Sequence, residues 1–541
     1  VAKYRFQGAL NAATFPLLSL LQPRTVLDNK LDSNVRTPES FYGTKESANF
    51  GVPQILYAEN IVPTAEGVMS CGYNNIVPPT SFSDFDQVIT LRDVDENNYL
   101  FAPAAGKNYI YTGNKPTWRS INPIDASGRA VSRAYVNGRT FVCYENLGIY
   151  EYNALADTFT LQVVTGLANT DIRGIGASNN YLIAYTDITV YWSSLINPLD
   201  FLPSINTGAG FAIPQDVKAK ITAVTGTAGG FIIYTAKNAV AAVYSQNIRA
   251  PFNFKEIANA GGVSSYEQTT SDQNSGPQYT WGTSGFQKVT TQQAEPLSAE
   301  LNDFLAGKVY ETWDAVNKRI VPQTADSYEF QVKVTYIASR YLIISYGLLN
   351  SGNYEYALLY DTALKRWGKL KITHVDCFQY PYPNVTGDLS YDELGNTSYE
   401  DLGDTSYAGL AFGIKSTQPS KRTIAFLNAQ GAIFILEADY AKADQAGIVV
   451  LGKFQLTRSR LMTIQQLDLE AIYGTNDVQV TAISSIEGKE LDYKNPMKLL
   501  KDGQFLHKYA RRQTGTNISI AIEGAFSLTS YILEVQNDGD R

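Results

Sequence analysis

The 541-residue chain has little of what active centres are usually assembled from. Its two histidines, His374 and His507, fall in different predicted domains with no His or Cys at ligand spacing, so a zinc centre has no basis here. Cys71, Cys143 and Cys377 are too few and too scattered for a disulfide framework, which points to a reducing compartment. Cys377 follows His374 by three residues, but a strand places position 377 on the face opposite 374 and 376, so a Cys–His nucleophile is not expected. No run reaches the roughly 20 apolar residues of a membrane span. The opening residues, Val1 to Leu10, carry Lys3, Tyr4, Arg5 and Gln7 where a secretion signal needs a continuous apolar core.

Nucleophile-elbow, P-loop and dinucleotide motifs are absent as well. Glycoside cleavage needs only two carboxylates, and 52 Asp and Glu leave that route open without selecting a pair. The sequence thus points to no catalytic residue, no cofactor-binding residue and no metal ligand, and to a chain that is not an enzyme. A formal charge of −8 removes the basic footprint of a protein that wraps nucleic acid, and suits a surface that a polyanion passes without adhering.

What the chain has is tyrosine, 36 residues of it, within 12% aromatics and 44% hydrophobics. That composition suits an ordered all-β protein with half-exposed strands. Asn180 to Gly210 is the most informative stretch. Tyr181–Thr186 and Thr189–Trp192 read as a hairpin turning at Asp187, and Asn197, Pro198 and Asp200 then break the strand.

Similar groups of four short strands recur from residue 86. The first is Gln87–Arg92, Tyr99–Ala102, Asn108–Tyr111 and Trp118–Ile121. The second has an Asn137–Gly138 hairpin signal between Val131–Val136 and Arg139–Tyr144, followed by Leu147–Tyr152 and Thr158–Val163. The third runs Ile172–Ala177, the Tyr181 hairpin and a short piece near Phe201. The fourth is Ile221–Thr225, Gly230–Tyr234, Ala239–Tyr244 and Phe252–Ile257. A weaker fifth spans Tyr266–Thr290. The sixth is Val332–Ile337, Tyr341–Ser345, Tyr354–Tyr360 and Arg366–Lys371, and Leu410–Ile414, Thr423–Leu427 and Ala432–Leu436 suggest a seventh. Such periods predict a β-propeller of six or seven blades over residues 86–440, with stacked sandwiches as the alternative.

Residues 1–85 read as a loop-rich N-terminal arm with platform strands, and with a helical turn or two at most in Ala12–Leu21; the arm either straps the first domain or packs on a neighbouring subunit. Residues 441–541 read as a C-terminal β platform or sandwich, with strands at Val450–Leu456, Leu467–Ile472, Val478–Ile483, Ser519–Ile522 and Tyr531–Val535. Their basic cluster, Lys498, Lys501, Lys508, Arg511 and Arg512, reads as a solvated edge or a site for an acidic partner. An inserted loop, 379–409, carries an eight-residue repeat with Tyr391, Tyr399 and Tyr407 in step with Leu394, Leu402 and Leu410. Its acids, Asp392, Glu393, Glu400, Asp401 and Asp404, lack any metal-binding spacing. Trp118, Trp192, Trp281, Trp313 and Trp367 are assigned to packing in preference to a sugar platform.

The phrase from Trp192 and Ser193 through Asn197, Pro198, Asp200 and Phe201 resembles a segment of tail and tail-hub proteins of tailed bacteriophages. Asn60, Gly67 and Gly72 in Ile55–Tyr73 are similar to their N-terminal pattern, and the SY-x-x-L-G repeat looks like their inserted loops. Within that group the nozzle proteins of short-tailed, podovirus-like phages are the most similar. The resemblance implies a propeller with an added β platform and a homohexameric ring below the portal and adaptor rings. It further implies tail fibres or tailspikes as neighbours, a channel for the departing genomic DNA, and a place in the virion tail after assembly in the host cytoplasm. Arg36 and Arg541 are candidate interface anchors that no family motif identifies. The competing expectation is a carbohydrate-binding or glycan-cleaving propeller; a scaffold that only recruits partners is a third.

Overall fold

Short antiparallel strands dominate because the chain alternates β-branched and aromatic residues with tight turns. The Asn137–Gly138 turn shows how: φ is +50° at Asn137 and +79° at Gly138, the paired positive values a two-residue hairpin loop requires and these two residues tolerate. The computed structural model describes residues 3–9, 25–26, 55–77, 85–92, 97–104, 107–111, 118–121, 130–153, 158–178, 180–245, 247, 250–270, 278–297, 310–323, 330–337, 340–348, 352–381, 414–415, 422–437, 447–455, 460–473, 478–485, 493–498, 514–515 and 517–540.

Seven small sheets follow one another along the chain. Blade one holds Ile89–Arg92, Asn97–Ala104, Lys107–Tyr111 and Arg119–Ile121; blades two, three and four are four-stranded meanders over 130–161, 174–212 and 221–256. Blade five shows three strands over 278–296, blade six comprises Phe330–Ile337, Tyr341–Leu348, Tyr354–Asp361 and Arg366–His374, and blade seven is built on Asp376–Pro381, Arg422–Leu427 and Ile433–Glu437.

Each blade is apolar on both faces, so its strands read as runs instead of clean alternation. In Arg139–Tyr144, Phe141 and Cys143 enter the core shared with blade three, while Val142 and Tyr144 enter the core shared with blade one. In Tyr181–Tyr185, Leu182 and Ala184 face blade two, and Tyr181, Ile183 and Tyr185 face blade four. The same division continues through blades five and six to blade seven, whose Ala425 and Leu427 join Leu100, Tyr109 and Trp118 of blade one. Seven cores between seven sheets therefore close a circle, and the domain is a β-propeller.

The closing strand comes from the other end of the chain. Gly72–Val77 pairs with Ile433–Glu437, Tyr73 opposite Leu436 and Val77 opposite Ile433, and supplies the outer strand of blade seven. Blade seven thus opens at Asp376 and not near Leu410; the two-residue strand Ile414–Lys415 pairs instead with Asn97 and Asn98 of blade one. Two other expectations shift for similar reasons. The fourth strand of blade three is Gly210–Ala212, not a piece near Phe201, and Tyr266–Gln268 is a single 3-10 turn ahead of blade five.

The remaining strands form a two-sheet sandwich. One sheet carries Arg460–Tyr473 and Phe526–Asp540 with Lys3–Ala9, Ile61–Pro63 and Val68–Ser70; the other carries Gly447–Gln455, Asn517–Gly524, Gln479–Ser485 and Tyr493–Lys498 with Thr25–Val26 and Ile55–Glu59. Its core brings Ile61 and Val68 together with Leu451, Leu469, Ile520 and Leu533. A pairing of Lys369 with Ile61 joins the first sheet to blade six, so propeller and platform share one continuous sheet. The hairpin Tyr310–Gln323 leaves the propeller between blades five and six and lays Trp313 on Tyr57, Ile448 and Val450 of the platform.

Candidate functional site

Among the described residues, those that carry the phage-tail resemblance fall into two places, and in both they have structural work. Asn60 adopts φ +52°, and its Oδ1 accepts hydrogen bonds from Tyr73 Oη at 3.1 Å and from the Lys371 backbone N–H at 2.9 Å. It sits where the chain passes from platform to propeller. Gly67 turns the hairpin before Val68 so close to Phe526–Asp540 that a Cβ there would lie 2.0 Å from the Leu528 carbonyl oxygen, which rules out any side chain.

The second place is the outer rim between blades two and three. After Trp192 the chain makes an excursion to residue 209 that is pinned by its own polar groups. Asn197 Oδ1 accepts the Leu199 N–H at 3.1 Å, Asp200 Oδ1 accepts the Leu202 N–H at 3.1 Å, and the Ser194 N–H donates to the Asp200 carbonyl at 2.7 Å. Phe201 is the plug, fully buried with Ile172, Ile175 and Phe141 between the two blades. Backbone bonds from Phe201 N–H to Thr165 O and from Thr165 N–H to Leu199 O clamp the excursion to blade two.

Around this buried plug the surface is apolar. Leu161, Val163, Leu195, Ile196, Leu202, Ile205, Phe211 and Ile213 are all exposed, eight of the twelve large hydrophobics that are exposed among the described residues. Phe211 packs at 5.6 Å on Tyr191, whose own face is turned toward blade two. In a chain that is 18% charged, residues 158–170 carry no charge and Asp200 is the sole charge from 193 to 215. Single exposed hydrophobics need no explanation; a charge-depleted cluster of this size does.

The groups weighed for chemistry are engaged in packing. Cys71, Cys143 and Cys377 are buried, and burial pushes each thiol above its ordinary range, away from the thiolate. His374 is buried between blades six and seven. Its Nδ1 lies 2.7 Å from the Ile372 carbonyl, which can only accept, so Nδ1 holds the proton and Nε2 accepts from Ser345 Oγ at 2.8 Å. Burial lowers its pKa to about 4. Trp118 Nε1 donates to Gly431 O at 2.7 Å, Trp192 Nε1 to Gly208 O at 2.9 Å and Trp313 Nε1 to Glu523 Oε1 at 3.0 Å, while Trp281 and Trp367 pack half-buried on the core between blades five and six. No group of three or more His, Cys, Asp or Glu is gathered for a metal ion among the described residues. The acidic repeat of 390–410, His507, Lys501 to Arg512, Ala12–Leu21, Arg36 and Arg541 lie outside the described residues, as does the Lys498 side chain.

No family model and no curated protein matches this chain. Among solved structures it is similar to a chain of the crystal structure of the mitotic checkpoint complex, at 10% identity and a TM-score of 0.32 over 66% of this chain and 93% of that one. No helix among the described residues is long and apolar enough to cross a membrane, which leaves β-barrel spans unaddressed.

Proposed function

We propose that this protein is a structural subunit of a short-tailed phage's tail nozzle, part of a homohexameric ring that extends the DNA channel below the portal and adaptor rings and helps retain and eject the genome. The observation that carries this reading is the interlock of propeller and platform. One N-terminal segment adds Ile55–Glu59, Ile61–Pro63 and Val68–Ser70 to the sandwich and, after Cys71, Gly72–Val77 to the last blade. The result is one β body with the propeller-plus-platform plan that the resemblance implies, and a stiff body suits a part that bears the load of a packed genome.

The conduit in this reading is the axis of the ring, not that of one propeller. Neighbouring blades are tied directly to one another along their inner strands: the Ile175 N–H donates to Ser132 Oγ at 2.7 Å and Gln278 Nε2 to Gly226 O at 2.8 Å, while Ser178 Oγ on the inner strand of blade three donates to Gly230 O, at the start of the second strand of blade four, at 2.8 Å. The net charge of −8 favours an acidic bore from which DNA is repelled. Adaptor and portal rings above and tail fibres or tailspikes alongside are the partners of this reading, with the assembled tail of the virion as its location.

Electron microscopy of the purified protein mixed with adaptor-bearing capsids tests it. A six-fold ring below the adaptor is expected; no added density at the capsid vertex, or a ring with a strongly basic bore, would defeat the respective part of the proposal.

A further inference from the structure

The described strands of the N-terminal arm are consumed within the chain. Lys3–Ala9, Thr25–Val26, Ile55–Glu59, Ile61–Pro63, Val68–Ser70 and Gly72–Val77 all pair with strands of the same molecule. The blade two–three rim is a different matter.

Val163, Ile196, Leu202, Ile205, Phe211 and Ile213 are 54 to 87% exposed, which at ordinary whole-residue areas leaves roughly 800 Å², most of it apolar, in water. The largest apolar patch of a typical monomer is about 300–600 Å², and one partner of a standard protein interface buries about 800 Å². The backbone beneath is held by the Asn197, Asp200 and Ser194 hydrogen bonds and by buried Phe201, so this surface is presented on a fixed support and binding it requires little ordering. Gly210–Ala212 is the outer strand of its blade, with no strand paired beyond it among the described residues.

We infer that the rim between blades two and three is the face against which a second copy of this chain packs, in a heterologous contact that repeats around the ring. This rests on the ring reading above and assigns the contact surface within it. Size favours a copy over a small ligand: the face is made of the 193–209 excursion and the edge strand Gly210–Ala212, and its exposed apolar area is comparable with one side of a standard interface. A closed ring needs one such patch per subunit meeting a different surface of the next.

Sedimentation velocity of the full chain up to about 100 µM, beside an Ile196→Asp/Ile205→Asp variant, tests the assignment. Both side chains point to solvent, so the variant retains the native circular dichroism spectrum and melting temperature. Wild type is expected to self-associate, and the variant to do so at least about tenfold more weakly. A wild type that stays monomeric throughout overturns the inference, as does a folded variant that associates equally. Wild type that remains monomeric yet co-sediments with phosphatidylglycerol vesicles assigns the face to lipid and also overturns it. A variant-sensitive two-fold dimer keeps this face as the contact between copies but overturns its heterologous, ring-forming geometry and the ring with it; a six-fold ring that the variant still forms on adaptor-bearing capsids overturns the face and sustains the ring.

Discussion

The side-chain oxygen of Asn60 accepts the backbone N–H of Lys371 at 2.9 Å, tying the corner at which the chain leaves the platform to the outer strand of blade six. The same oxygen accepts from Tyr73 in the closing strand, and the backbone at Asn60 is left-handed with φ +52°. Asn is suited to both tasks at once. Asn60→Gly keeps the backbone and loses the bonds, for an expected cost of about 1–2 kcal/mol. Asn60→Ala loses the bonds and adds left-handed strain of about 1–2 kcal/mol. Urea midpoints should therefore fall in the order wild type, Gly, Ala; an Ala variant as stable as Gly would remove conformation from the account.

Trp118 and Gly431 meet where the first blade joins the last, with the indole N–H on the carbonyl at 2.7 Å and the ring against Phe85 and Tyr111. Trp118→Phe keeps most of the packing but strands the Gly431 carbonyl, an expected loss of about 1–3 kcal/mol. Trp118→Ala opens a cavity in the closure core at about 3–5 kcal/mol. If the circle closes as described, hydrogen exchange in both variants rises first in Gly72–Val77 and Ile433–Glu437. Uniform exchange around all blades would speak against a weak seam there.

These two contacts also mark the limit of what the sequence made legible. Turn chemistry is local, so Asn137–Gly138, the Tyr181 hairpin and the four-strand grouping could be read directly, as could the long C-terminal strands of the sandwich, but not the strands that the N-terminal segment adds to it. Closure is not local. Gly72–Val77 finds its partner about 360 residues away, and nothing in its letters distinguishes an outer blade strand from an arm strand. The same blindness placed the start of blade seven near Leu410, because Asp376–Pro381 lies just ahead of a long insertion and Leu410–Ile414 offered a strand-like run nearer to Thr423. At the rim, nothing in the letters separates Ile196 and Ile205, which are exposed, from isoleucines of the core. The usable signal was the neighbouring composition, a single charge across residues 193–215.

His374 makes acid stability testable. Its pKa is lowered to about 4 by burial, with the Lys333 charge acting in the same direction, and its ring is enclosed by Ser345, Tyr354, Phe426 and the Ile372 carbonyl. The unfolded chain takes up this proton near pH 6.5 and the folded one resists until about pH 4. The neutral ring's contribution is thus intact above pH 6.5, falls as the pH drops, and is fully lost near pH 4, a change on the order of 3 kcal/mol. Carboxylates titrate in the same range, so the informative quantity is the difference between wild type and His374→Gln. That difference should shrink or change sign between pH 7 and 4; a constant difference would mean that His374 charges equally in both states.

Asp376 opens the inner strand of blade seven and links three blades through one carboxylate. Its Oδ1 lies 2.7 Å from Lys333 Nζ on the inner strand of blade six, and its Oδ2 accepts the Val88 N–H at 2.7 Å ahead of blade one. The two side chains are 2% and 11% exposed, so water does little to screen them, and Glu267 stands 3.7 Å from the same ammonium. Removing one partner leaves a buried charge without its counterion. Lys333→Met is therefore expected to cost about 3–5 kcal/mol, far more than a surface pair would. Asp376→Asn still offers an oxygen to Val88 but isolates the ammonium from its nearer carboxylate, and should cost less because Glu267 can take up part of the charge. In Lys333→Met/Asp376→Asn neither charge of the pair remains, so the double variant should be more stable than the sum of the singles indicates, by about 1–3 kcal/mol of coupling. Guanidinium would mask charge effects, so the cycle belongs in urea, repeated at low and high sodium chloride. Coupling that survives salt identifies a buried inter-blade pair; coupling that salt abolishes would place both groups at a wetter surface than the structure gives them.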